Sequence, residues 1–134
     1  QKTALSWGPL GGFSALFLIL QDPAIAAWRF DWLARWYPLT QVATVGTLIF
    51  EWSAGLVPLV YWFRDTRTAP GRLRAWFNTA RPLRIWVALG VALHVGIACT
   101  MSLGIFPWAM LALYPAFVHP EELARALRAR LRAR

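Results

Sequence analysis

The sequence predicts an all-α integral membrane helical bundle of about four transmembrane or intramembrane helices, with interfacial helices beside them. Three observations predict it. Hydrophobic residues make up 58% of the 134 residues and mean hydropathy is +0.45, more apolar surface than a soluble domain of this size can hide. Charged residues are only 15%, below the roughly 25% of soluble domains. The Arg residues sit in connections and in the tail, between apolar runs, which is the positive-inside arrangement.

The net charge is +8. A basic total raises nucleic acid as a partner, but Arg placed between apolar runs points to a lipid bilayer and anionic lipid head groups instead. No nucleic-acid partner is expected. Cys99 is the only cysteine, which excludes an intramolecular disulfide and any CxxC metal or redox motif. It reads as a small buried apolar side chain. No signal-peptide layout is present. Residues 1–119 read as a transmembrane helical domain, and 120–134 as a basic amphipathic C-terminal helix.

After a short polar lead over 1–9, residues 10–28 form the first apolar run, read as a transmembrane helix that bends or ends at Gln21-Asp22-Pro23. Trp28, Trp32 and Trp36 follow at spacing four, one stripe of an interfacial helix or an aromatic ligand platform. Residues 39–63 read as a full span with some tilt. Glu51 lies at its middle, Gly46, Ser53, Ala54 and Gly55 admit a neighbouring helix, and Pro58 is placed to kink the last third. Residues 64–84 carry six Arg and read as a cytoplasmic loop. Residues 85–103 are the next span, with His94 at its middle.

The last run, 105–118, rises only about 21 Å as a helix, short of the ~30 Å hydrocarbon core. It either borrows residues from Met101 onward or forms a short, buried or re-entrant element. Gly104 and Pro107 fit a tight turn before it. From Pro120, Glu121 and Glu122 a helix start is expected. Leu123, Leu127 and Leu131 then alternate with Arg, either an amphipathic helix on an anionic surface or a solvated tail. Four spans would put the Arg-rich loop and the tail together on the cytoplasmic side.

Two ionisable side chains sit near mid-span, Glu51 and His94. Such groups cost several kcal/mol in hydrocarbon, roughly, unless paired or wetted. On different spans they can face each other, as a proton-handling pair or as a structural hydrogen bond. No Gly-rich phosphate loop, HExxH or metal-ligand cluster occurs, so no metal site is expected. His119, before a proline, reads as a capping or head-group-level residue.

Three patches resemble the transmembrane domain of vitamin K-dependent γ-carboxylase and its bacterial relatives, the HTTM domain. They are EWSAGLVPLV at 51–60, RPLR at 81–84 leading to His94, and SLGIFPWAMLALYPAFVHPE at 102–121. The most specific element is His94 followed 12 residues later by Phe106, within GIFPWAML. A weaker patch is Lys2 with Trp7 and Gly8. The resemblance implies the C-terminal half of a longer domain, set in a bacterial inner membrane. It also implies a quinone cofactor of the vitamin K hydroquinone type, with Lys2 as the base that deprotonates it. A desolvated lysine can act as a general base. Glu51 and His94 would handle protons or orient the cofactor, and Trp7, Phe106 and Trp108 would lie against it. Upstream of Glu51 the carboxylases carry a histidine where this chain reads VATVGTLIF, with Thr44 nearby. Quinone chemistry without carboxylation therefore stands beside carboxylation. The alternative is a non-catalytic transmembrane subunit or scaffold, packed by its small-residue faces and Trp belts against other membrane subunits.

Overall fold

The computed structural model describes residues 4–117, 128–129 and 131–132. Among them the regular elements are all helices, and one isolated bridge joins Ala26 and Met101. The helices are α1 (Ala15–Leu20), α2 (Tyr37–Ser53), α3 (Val57–Asp65), α4 (Arg72–Ala80), α5 (Pro82–Thr100) and α6 (Phe106–Leu113). Short 3-10 turns join or precede several of them.

Two helical stretches are long and apolar enough to cross a membrane: Tyr37–Asp65, 29 residues, and Pro82–Thr100, 19 residues. Their most apolar windows are only 6% and 17% buried within the chain. The core helix of a water-soluble domain would be mostly covered. Here large apolar groups such as Ile49, Trp52, Leu89 and Trp108 face outward, while Thr40, Thr44, Thr47 and His94 are buried.

The first stretch is continuous through a 3-10 turn at Ala54–Leu56. Pro58 accounts for the turn, because it has no N–H to give and its ring crowds the carbonyl four residues back. The irregularity therefore falls just before Pro58. α5 starts at Pro82, three residues earlier than the hydropathy suggests, since proline suits a first helical turn. α6 runs antiparallel to α5: Phe106 lies beside His94 and Phe117 beside Trp86. The 3-10 turn Tyr114–Phe117 extends α6 until the Phe117 carbonyl accepts the Tyr61 hydroxyl at 2.9 Å.

The first apolar run is not a span. Only Ala15–Leu20 is α-helical, about 9 Å of rise. Gly12 and Phe13 take positive φ values of 64° and 52°, which breaks the helix on one side. On the other, Asp22 Oδ1 accepts the Ala24 N–H at 3.0 Å and closes a turn before Pro23 can continue a helix. The Trp stripe is also corrected. Asp31–Trp36 is 3-10, with three residues per turn, so spacing four makes no stripe. Trp28 precedes that turn and donates its Nε1–H to the Cys99 carbonyl at 2.8 Å. Cys99 itself is exposed, not buried.

The Arg-rich connection contains α4, which packs on α3. Phe77 meets Phe63 at 5.0 Å, Asn78 Nδ2 donates to the Phe63 carbonyl, and the Arg74 guanidinium lies 5.3 Å from the Trp62 ring centroid. Of the expected C-terminal helix, 128–129 and 131–132 are helical. Pro120, Glu121, Glu122, Leu123 and Leu127 lie outside the described residues, as does His119.

Arg81 joins α4 to α5 in the left-handed region, φ 50° and ψ 51°. That conformation strains any residue with a Cβ and a β-branched one most. Arg81→Gly is expected to raise unfolding free energy by up to about 1 kcal/mol and Arg81→Val to lower it by about 1 kcal/mol or more. Thermal unfolding of the detergent-solubilised variants checks the order.

Candidate functional site

α5 and α6 enclose one polar pair. His94 and Tyr114 are each 5% exposed. His94 Nδ1 lies 2.8 Å from the Gly90 carbonyl, one turn earlier, and 3.1 Å from the Tyr114 hydroxyl. One nitrogen thus faces two partners. With the proton on Nδ1 the ring donates to the Gly90 carbonyl. With the proton on Nε2, Nδ1 accepts from the Tyr114 hydroxyl. The pair can hold a proton in either place.

Gly90 makes the approach possible. A Cβ there would collide with the hydroxyl and ring of Tyr114. Aromatic rings wall the pair: Phe106 at 6.2 Å from His94, and Trp86 and Phe117 at 6.2 and 6.1 Å from Tyr114. Trp86 carries the contact on to α2. It stacks on Phe50 at 4.8 Å and donates Nε1–H to Ser53 Oγ at 2.9 Å.

The structure does not bring Glu51 to His94. Phe50 and Ser53 both touch Trp86, so they mark the side of α2 that faces α5. At 100° per residue Glu51 points roughly 130° away from that side. Glu51 is exposed and makes no hydrogen bond or ion pair with the described residues. The pairing expected for His94 is made by Tyr114.

Of the other expected site residues, Phe106 is beside His94 and is itself 47% exposed. Trp108 is 62% exposed and points outward. Trp7 ends a half-buried 3-10 turn near the N-terminus, and Lys2 lies outside the described residues. Thr44 is fully buried. Its Oγ1 accepts the Leu16 N–H at 3.3 Å and donates to the Thr40 carbonyl at 2.8 Å, so its polar capacity is spent on packing α1 to α2.

Sequence reasoning missed Tyr114 and Gly90. The available signal was a glycine one turn before His94 and a lone tyrosine inside an otherwise apolar run. Among the described residues no group of three His, Cys, Asp or Glu side chains could hold a metal ion. A groove of about 410 Å³ lies apart from the pair, between the end of α1 and the following turns. Leu20, Gln21, Trp28, Arg29, Phe30 and Asp31 are among the residues that line it. Arg29 and Asp31 there form an ion pair at 2.9 Å.

No protein-family model matches this chain, and neither a curated protein nor a solved structure is significantly similar to it.

The closure of α6 onto Gly90 yields an ordered expectation. Gly90→Ala overpacks the contact and should cost about 1–3 kcal/mol of stability, more than Tyr114→Phe, which removes one hydrogen bond worth about 0.5–1.5 kcal/mol. Adding Tyr114→Leu to Gly90→Ala should recover stability, whereas adding Tyr114→Phe should not, because the ring itself collides. Denaturation of the four variants in one detergent checks this.

Proposed function

We propose that this chain is an integral membrane helical domain in which the His94–Tyr114 pair receives a reduced quinone from the lipid phase. The observation that carries the reading is a buried imidazole sharing its Nδ1 with a tyrosine hydroxyl and a backbone carbonyl, inside an apolar helix and an aromatic wall. An ionisable group in such a place costs roughly 2.5–3.5 kcal/mol or more in hydrocarbon and is retained for a use.

The membrane placement rests on two span-length helices with outward apolar faces. In this arrangement the helix Tyr37–Asp65 and α5 are the crossings, and α6 with its 3-10 extension, too short to cross as a lone helix, returns alongside α5 to the level of Trp86. Residues 64–84, with six Arg, and the tail after Phe117 then fall on one side, cytoplasmic by the positive-inside rule. The short α1 need not cross for this to hold.

The chemistry is a proton transfer. A hydroquinone O–H gives its proton to the neutral His94 imidazole, which becomes imidazolium, and the hydroquinone leaves as its monoanion. Tyr114 fixes the ring orientation, and Phe106, half exposed, forms the lipid-side wall. By the γ-carboxylase resemblance Lys2 is the base, to which His94 passes the proton, and Trp7 lies against the cofactor. By the same resemblance that anion, with dioxygen and carbon dioxide as co-reactants, would serve glutamate carboxylation.

A second reading is a non-catalytic transmembrane subunit of a larger assembly. The exposed position of Glu51 on α2 favours it, because a carboxylate facing hydrocarbon calls for a partner.

Binding separates the two. Quenching of tryptophan fluorescence by a reduced naphthoquinone, with the chain in nanodiscs, should saturate for the wild type. It should weaken about five- to tenfold in His94→Gln, the loss of about one hydrogen bond, and change little in Glu51→Gln. Lys2→Ala should retain binding and lose hydroquinone turnover. Wild-type protein that never saturates would leave only the second reading.

A further inference from the structure

Thr40, Thr44, Thr47 and Glu51 recur on α2 at spacings of four, three and four, and so share one helix face. The three threonines are buried. The N-terminal segment covers that part of the helix: α1 gives its Leu16 N–H to Thr44, and the Gly12 carbonyl accepts the Gln41 amide at 2.7 Å. α1 ends at Leu20. The chain then turns away to the end of α5, where Ala27 N–H bonds the Thr100 carbonyl and Ser102 N–H the Ile25 carbonyl.

The same face continues through Glu51, Ala54, Gly55 and Pro58, and all four are exposed. A Cβ added at Gly55 meets nothing within 4 Å. One seam is therefore filled along its first half and open along its second. Glu51 opens the second half and is also the central residue of the Tyr37–Asp65 helix. It has no hydrogen-bonding or ionic partner among the described residues.

We infer that this open half, Glu51 with Ala54 and Gly55, is the docking site for a transmembrane helix of another protein that carries one basic side chain at mid-bilayer depth. Charge selects the occupant. The basic residues of the described chain lie toward the helix ends, in the connections or in the tail, at Arg29, Arg35, Arg64 and onward to Arg84, and at Arg128 and Arg132. A second copy would therefore set a carboxylate against Glu51. His94 is enclosed with Tyr114. A foreign Lys or Arg supplies the missing charge, and the small side chains at 54 and 55 let its helix approach closely enough for the short carboxylate to reach it. The inference rests on the bilayer placement and not on the quinone reading.

The test uses the full chain in phospholipid vesicles, labelled with a fluorescent donor at Cys99. The probes are acceptor-labelled Leu/Ala transmembrane peptides with a central Arg, Leu or Glu. The Arg peptide should bind at least about tenfold more tightly than the Leu peptide, a difference of about 1.4 kcal/mol. Glu51→Gln should abolish that preference, and Gly55→Leu should weaken Arg-peptide binding at least about fivefold by filling the seam. Ile49→Trp, on the opposite face of α2, should leave it unchanged. Equal binding of Arg and Leu peptides overturns the proposal, as does a preference that survives Glu51→Gln. Energy transfer between differently labelled copies of the chain, lost in Glu51→Gln, would give the seam to a second copy and overturn it equally. Quinone binding retained by Glu51→Gln keeps this outcome separate from the fate of the quinone reading.

Discussion

The approach of Tyr114 onto Gly90 is the contact on which the rest of the α5–α6 unit depends. It places the hydroxyl against His94 Nδ1, and it brings Phe117 near enough to α3 for Tyr61 to hold its carbonyl. A methyl group at position 90 would push α6 outward and break all three relations together. In the bilayer placement proposed above no hydrophobic force draws helices to one another. Close approach and a few interhelical hydrogen bonds must serve instead, each worth about 0.6 kcal/mol on average in membranes. Trp86 to Ser53 and Tyr61 to Phe117 are bonds of this kind.

The distribution of polar groups follows from the same constraint. The threonines of α2 turn inward and bond carbonyls of their own helix, Thr40 to Tyr37, Thr44 to Thr40 and Thr47 to Ala43. Their methyl groups remain for packing. Outward positions carry Ile49, Trp52, Leu89 and Trp108. Backbone outside the helices is satisfied where two irregular segments meet: 25–28 and 99–102 exchange hydrogen bonds at one end of the bundle. A non-helical chain can stand near a membrane only when its polar groups find partners in this way.

Much of this was legible in residue order and some was not. Length and hydropathy located the Tyr37–Asp65 helix and α5 to within a few residues, because an uninterrupted apolar run of that length has few other structures open to it. The first run had similar composition but fails as a span because of Gly12, Phe13 and the Asp22-Pro23 turn. Their backbone angles outweigh the apolar residues between them. α4 was missed because an Arg-rich strip reads as a loop unless its packing on Phe63 is known. His94 stood out as an ionisable group in an apolar run, and so did Glu51. Their mutual orientation was not legible, because helix phase is set by which face α1 and α5 claim. Phe50 and Ser53 toward Trp86, and Thr44 toward Leu16, decide that phase.

That phase gives the two ionisable residues different kinds of surroundings. His94 is closed in by its own chain, and its proton has two places to rest, so what happens there is governed by geometry within α5 and α6. Glu51 lies where the described residues stop covering α2, and by the docking inference its environment is supplied from outside. A single substitution at one should therefore leave the other's surroundings intact, since residues of separate contact sets and different partners act almost independently. Trp86 touches both α2 and the enclosed pair, through Phe50 and Ser53 on one side and Tyr114 on the other. Coupling between an event at the outer face of α2 and the proton on His94 has two side-chain routes: that indole, and the Tyr61–Phe117 contact further along the same helix.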